Sequence, residues 1–98
     1  MHSLSRKRAV KLTQKQLARQ RHKEAGLWLR ELRERRGLSQ RELAEAVGVE
    51  VYTVISQLEH GYGVIPPDRY AIWAEALGIE PDEFVRQLTL LPQPHDTP

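Results

Sequence analysis

The residues of this 98-residue chain that could do chemistry are four histidines, a crowd of cations near the start, and a short polar set between Tyr52 and Gln57. The histidines, His2, His22, His60 and His95, are scattered. No Ser/His/Asp arrangement, metal-spaced cluster or glycine-rich phosphate loop accompanies them, so nucleophilic and metal-assisted catalysis both lack their parts. The chain is expected not to be an enzyme and to need no cofactor or metal. His60 reads as a charge at a helix C-terminus or as a phosphate contact. There is no cysteine, which removes disulfides and thiolate zinc sites and makes a reducing cytoplasm the default compartment.

The cations point elsewhere. Arg6, Lys7, Arg8, Lys11, Lys15, Arg19, Arg21 and Lys23 all precede the first acid, Glu24. The net charge of +2 hides this asymmetry: residues 1–36 carry twelve Lys or Arg against three Glu, and residues 37–98 carry three Arg against ten Asp or Glu. A basic segment of this kind releases counterions when it meets a phosphate backbone, which makes nucleic acid the first partner to consider. RNA, an acidic lipid surface, or a tail kept charged only for solubility fits the same charge. No stretch is apolar and long enough for a secretory signal or a bilayer span, and no membrane partner is expected.

Placing any of these groups against a partner requires rigid elements, and the sequence marks helix starts repeatedly. The signature is a capping residue, an acid or amide three positions later, and an apolar pair flanking the cap. Thr13 and Gln16 supply it between Leu12 and Leu17, and Ser39 and Glu42 between Leu38 and Leu43. Pro81 sits at a first helical position between Ile79 and Phe84, while Ile65 and Tyr70 bracket Pro66 and Pro67. Apolar spacing then predicts five helices. The first runs from about Ala25 to Arg36 with Ala25, Trp28, Leu29 and Leu32 inward and Gly37 as its stop. The second turns Leu43, Ala44 and Val47 inward and leaves through Gly48, whose left-handed conformation a tight exit requires. A stripe of Val51, Val54, Ile55 and Leu58 makes the third, its other face showing Tyr52, Thr53, Ser56, Gln57 and His60. Tyr70, Trp73, Ala74 and Leu77 line the fourth, and Phe84, Val85, Leu88 and Leu91 the fifth.

The stretch from Thr13 to Lys23 has a good cap but offers mainly Leu17 and Ala18 to a core, so a marginal helix ordered on a partner is expected there. The fold class is all-α: a basic N-terminal arm over residues 1–24, partly helical or disordered, a compact five-helix domain over 25–91, and a disordered tail over 92–98.

A short helix, a glycine turn and a second short helix form a corner that can enter a major groove. Residues Leu29 to Leu77 resemble the XRE-type helix-turn-helix family of Cro and lambda-repressor-like regulators. The matching residues are Leu29-Arg30-Glu31-Leu32-Arg33, Leu38-Ser39-Gln40 with Leu43-Ala44, Val47-Gly48-Val49, Ile55-Ser56-Gln57-Leu58-Glu59, Gly61 and Pro66. Small Ala44 lets the second and third helices cross closely. Leu43, Val47, Ile55, Leu58, Trp28 and Trp73 read as core, and Glu59 as the partner of an arginine in the first helix.

The interval from Gly48 to Glu59 is one residue longer than the family's usual spacing. Aligning on Ile55, Leu58 and Glu59 puts the extra residue in the turn, near Glu50. Aligning on Gly48 instead puts Gln57 in the core, where its amide lacks partners. The first alignment is preferred.

The resemblance implies a transcriptional repressor of double-stranded DNA, cytoplasmic and nucleoid-associated, whose third helix reads base edges through Tyr52, Thr53, Ser56 and Gln57. Gln57 can pair bidentately with adenine and Thr53 can offer a methyl to thymine. Gln40 and Arg41 are placed at the phosphate backbone, joined by Arg6, Lys7, Arg8, Lys11, Lys15, Arg19, Arg21 and Lys23 of the arm. A homodimer is expected, because one unit contacts few base pairs, with Leu88, Leu90 and Leu91 as interface residues. The competing reading is an antitoxin-like regulator whose acidic C-terminal half docks a protein partner, DNA binding serving autoregulation.

Overall fold

Thr13 opens the first element by a reciprocal cap. Its hydroxyl accepts from the Gln16 N–H at 3.0 Å while the Gln16 amide oxygen accepts from the Thr13 N–H at 2.8 Å. The protein is described from a computed structural model over residues 12–90. The elements are α1 (Gln14–Arg35), α2 (Gln40–Val47), α3 (Thr53–Glu59), a 3-10 turn (Pro67–Arg69), α4 (Tyr70–Leu77) and α5 (Pro81–Leu90), with no strand among the described residues.

Five helices were expected, but the first starts eleven residues earlier than apolar spacing predicts and continues without a break through Ala25. Its N-terminal half has no apolar stripe to hold it. Support comes instead from Arg19, whose guanidinium donates to the carbonyls of Gly61 at 2.8 Å and His60 at 3.3 Å and lies 4.2 Å from the Tyr62 ring centre. One side chain thus fastens the start of α1 to the end of α3 and satisfies carbonyls that the short α3 leaves open. Farther along, buried Gly26 faces the same helix. A Cβ at that position would lie 2.5 Å from the carbonyl oxygens of both Leu58 and Glu59, so only a glycine allows α1 and α3 to approach this closely.

Ser39 repeats the reciprocal cap with Glu42 at the start of α2. That helix ends where Gly48 takes the left-handed conformation, φ 77°, and the Val49 N–H turns back to the Ala44 carbonyl at 2.8 Å. The last carbonyl of α2, on Val47, also accepts from Arg69 at 2.7 Å. Arg36 supplies the same service to α4 by donating to Ala76. Three short helices are therefore closed by arginines from elsewhere in the chain, each a cation placed at the negative end of a helix.

The core is formed by Leu29, Leu32, Leu43, Ala44, Val47, Ile55, Leu58, Ile65, Trp73, Ala74, Leu77 and Phe84. Five of the six residues read as core are fully inside, and Trp28 packs against them half-buried. Its ring stacks on Phe84 at 5.5 Å, and Tyr70 meets the same ring edge-on at 6.0 Å, joining α1, α4 and α5. Val51, Val54 and Val85 depart from expectation. Apolar spacing puts all three on inward stripes, yet each is exposed. Ile55, Leu58 and Glu59, spaced three and four apart, occupy the inner face of α3, which turns Val54 to its flank and leaves Val51 in the preceding turn.

Candidate nucleic-acid interface

The orientation of α3 is set by a buried ion pair at its last residue. The Glu59 carboxylate accepts from Arg33 Nε at 2.6 Å and Arg33 Nη2 at 3.1 Å, and from Gln40 Nε2 at 3.0 Å. Arg33 and Glu59 side chains are only 10% and 3% exposed. Arg33 also donates Nη1 to the Leu38 carbonyl at 2.8 Å, so a single fork links α1, the loop before α2, and α3. The hydrogen bonds to Glu59 outweigh the burial of the guanidinium and raise its pKa above the ordinary arginine value. The α1 arginine expected to pair with Glu59 is Arg33.

With Glu59 and Ile55 turned inward, the opposite face of α3 carries Thr53, Gln57 and His60, with Ser56 half-buried beside them. Gln57 is exposed, which is the register obtained by placing the extra residue in the turn before α3. Tyr52 stands at the start of the helix, its ring 4.5 Å below the guanidinium carbon of Arg41. The cation of α2 is thereby held at the edge of the same surface. His60 Nδ1 lies 2.7 Å from the Ser56 carbonyl oxygen, within the last turn.

Other residues singled out from the sequence are distributed more widely. The Gln40 amide points inward to Glu59 rather than outward, although Gln40 does occupy the first position of α2. Lys15 and Lys23 are exposed on α1, Arg21 is half-buried, and the Arg19 guanidinium is occupied by the α3 carbonyls. Arg6, Lys7, Arg8 and Lys11 lie outside the described residues, as does Leu91. Leu90 ends α5 and Leu88, on the same helix, is half-buried against the core. Two further side chains that the sequence stripe concealed, Val51 and Val54, are exposed near the start of α3. The signal available for them was the buried acid: once Glu59 pairs inward, helical geometry moves the inner face off Val54.

Among the described residues there is no group of His, Cys, Asp or Glu suited to a metal, and no helix is long and apolar enough to cross a membrane. A two-helix corner with one helix presenting polar and apolar side chains outward, and a basic helix tied to its end, defines a helix-turn-helix domain. A family profile described as helix-turn-helix matches residues 29–84, more than half the chain, and the chain belongs to that family in its XRE form. It is a DNA-binding transcriptional regulator at the level of the family. No curated protein matches it.

Proposed function

We propose that this regulator is a repressor that binds a near-palindromic operator as a homodimer, each copy setting α3 into the major groove. The outward exposure of Gln57 and Thr53, opposite the Glu59 anchor, carries the reading. Tyr52, Thr53, Ser56 and Gln57 meet base edges, with the Gln57 amide suited to adenine. Arg41, steadied by Tyr52, reaches the adjoining phosphates. Lys15 and Lys23, with Arg6, Lys7, Arg8 and Lys11, add sequence-independent attraction, whereas Arg19 serves as the tie that aims α1. Leu88, Leu90 and Leu91 supply the contact between copies, because a single unit touches too few base pairs to specify a site.

The experiment is selection of bound sequences from a random DNA pool with the full-length protein, repeated at two salt concentrations. A two-fold-related motif is expected, with affinity falling by roughly 0.9 log units per phosphate contact for each tenfold rise in salt. Recovery of no motif at either salt would overturn the proposal. A protein that selects no DNA but forms a stable complex with another protein would put the partner-docking regulator in its place.

A further inference from the structure

The outer surface at the start of α3 is unusual in what it offers to a base pair. Val51 is 55% exposed, Val54 38% and Tyr52 39%, and Thr53, which carries a methyl, is exposed as well. From Val51 to Leu58 the chain has no cation and no carboxylate. The Arg41 guanidinium is held over the Tyr52 ring, and Asp68 and Arg69 line the cleft that Val54 also lines. The turn is not loose: the Val51 carbonyl accepts from the Val54 N–H at 3.1 Å and the Tyr52 carbonyl from the Ile55 N–H at 2.9 Å. These side chains are therefore presented from a fixed backbone.

We propose that this patch reads the C5 methyl group of pyrimidines, that of thymine and equally that of 5-methylcytosine. The inference rests on the operator-reading function above and names the chemical feature that function discriminates. In the major groove the C5 methyl is the only alkyl group on a base edge; apart from the ring C–H of cytosine C5 and of purine C8, the other groups there are hydrogen-bond donors or acceptors. A valine pressed on guanine O6 or the cytosine amino group removes water from it and returns nothing, which disfavours those bases. Against a methyl, the same valine loses no polar hydration and gains apolar burial. Val54 and Gln57 share one wall of the shallow cleft between α3 and the 61–69 loop, so an amide for adenine and an aliphatic surface for a thymine methyl stand side by side.

The test uses the full-length protein and its selected site. Each thymine is replaced singly by deoxyuridine, which keeps the hydrogen-bonding edge and deletes only the methyl. Affinity is expected to fall about 4-fold at one or more positions in each half-site, the factor that corresponds to burying one methyl-sized group. Val51→Ala or Val54→Ala is expected to weaken binding to the thymine site and to erase the difference between thymine and uracil at its own position. At that position, 5-methylcytosine is expected to be bound more tightly than cytosine. A site bound equally well with uracil at every thymine would overturn the inference and leave the operator reading intact, whereas absence of any selected site removes the operator reading itself.

Discussion

Replacing Gly26 by alanine sets two effects of opposite sign against each other. In an unsupported helix the change is favourable by about 1 kcal/mol, since alanine is the better helix former. Here the new Cβ would meet two backbone oxygens, those of Leu58 and Glu59, at 2.5 Å. Restoring ordinary contact requires α1 and α3 to part by about 0.9 Å. A displacement of that size carries the 3.1 Å bond between Arg33 Nη2 and Glu59 out of hydrogen-bonding range. Overpacking alone costs about 1–3 kcal/mol. With the weakened ion pair added and the propensity gain subtracted, a net loss of about 2 kcal/mol is expected. For a domain of this size that lowers Tm by roughly 8–16 °C. Urea and thermal unfolding followed by circular dichroism give the number, with Leu27→Ala, at the exposed neighbouring position, as a control expected to change stability by less than about 0.5 kcal/mol. A Gly26→Ala protein as stable as the parent, or more so, would refute the close crossing of the two helices.

Glu59→Gln leaves the buried Arg33 charge uncompensated and is expected to cost about 3–5 kcal/mol in urea unfolding, most of it recovered when Arg33→Met accompanies Glu59→Leu. Equal stability of the single variant and the parent would show that the pair is not the anchor of α3. Arg19→Ala removes the support of the N-terminal half of α1, so amide exchange at residues 14–24 is expected to accelerate while the core helices stay protected. Unchanged exchange there would assign the support elsewhere. Gln57→Ala is expected to relax the preference at one base pair of each half-site at a cost of about 1–3 kcal/mol, and an unaltered motif would place Gln57 away from the bases.

Much of this domain is written in local signals. Ser39 with Glu42, Gly48, and the spacing of Leu43, Ala44 and Val47 specify α2 within its own ten residues, and Gly78 closes α4 in the same way. What escaped the sequence depends on pairs distant along the chain. The first half of α1 is ordered by a guanidinium that reaches 41 and 42 residues ahead to His60 and Gly61, and no apolar periodicity records such a bond. The position of Gln40 at the start of α2 suggests a phosphate contact, but a buried carboxylate 19 residues away accepts from its amide. Val51 and Val54 look like core by type. Their exposure follows from Glu59, whose inward pairing rotates the helix and decides which side chains face outward.

An unbroken α1 also behaves as a lever. It is clamped to α3 at the Gly26 crossing, where there is no slack, and again by Arg19, and the twelve residues from Gly26 back to Gln14 span about 18 Å. A tilt of about 5° between the two helices would displace the basic tip by roughly 1.5 Å and pull on the Arg19 bonds, and the reverse holds for any force applied at the tip. Whatever the tip meets is mechanically joined to the helix it crosses through one stiff rod.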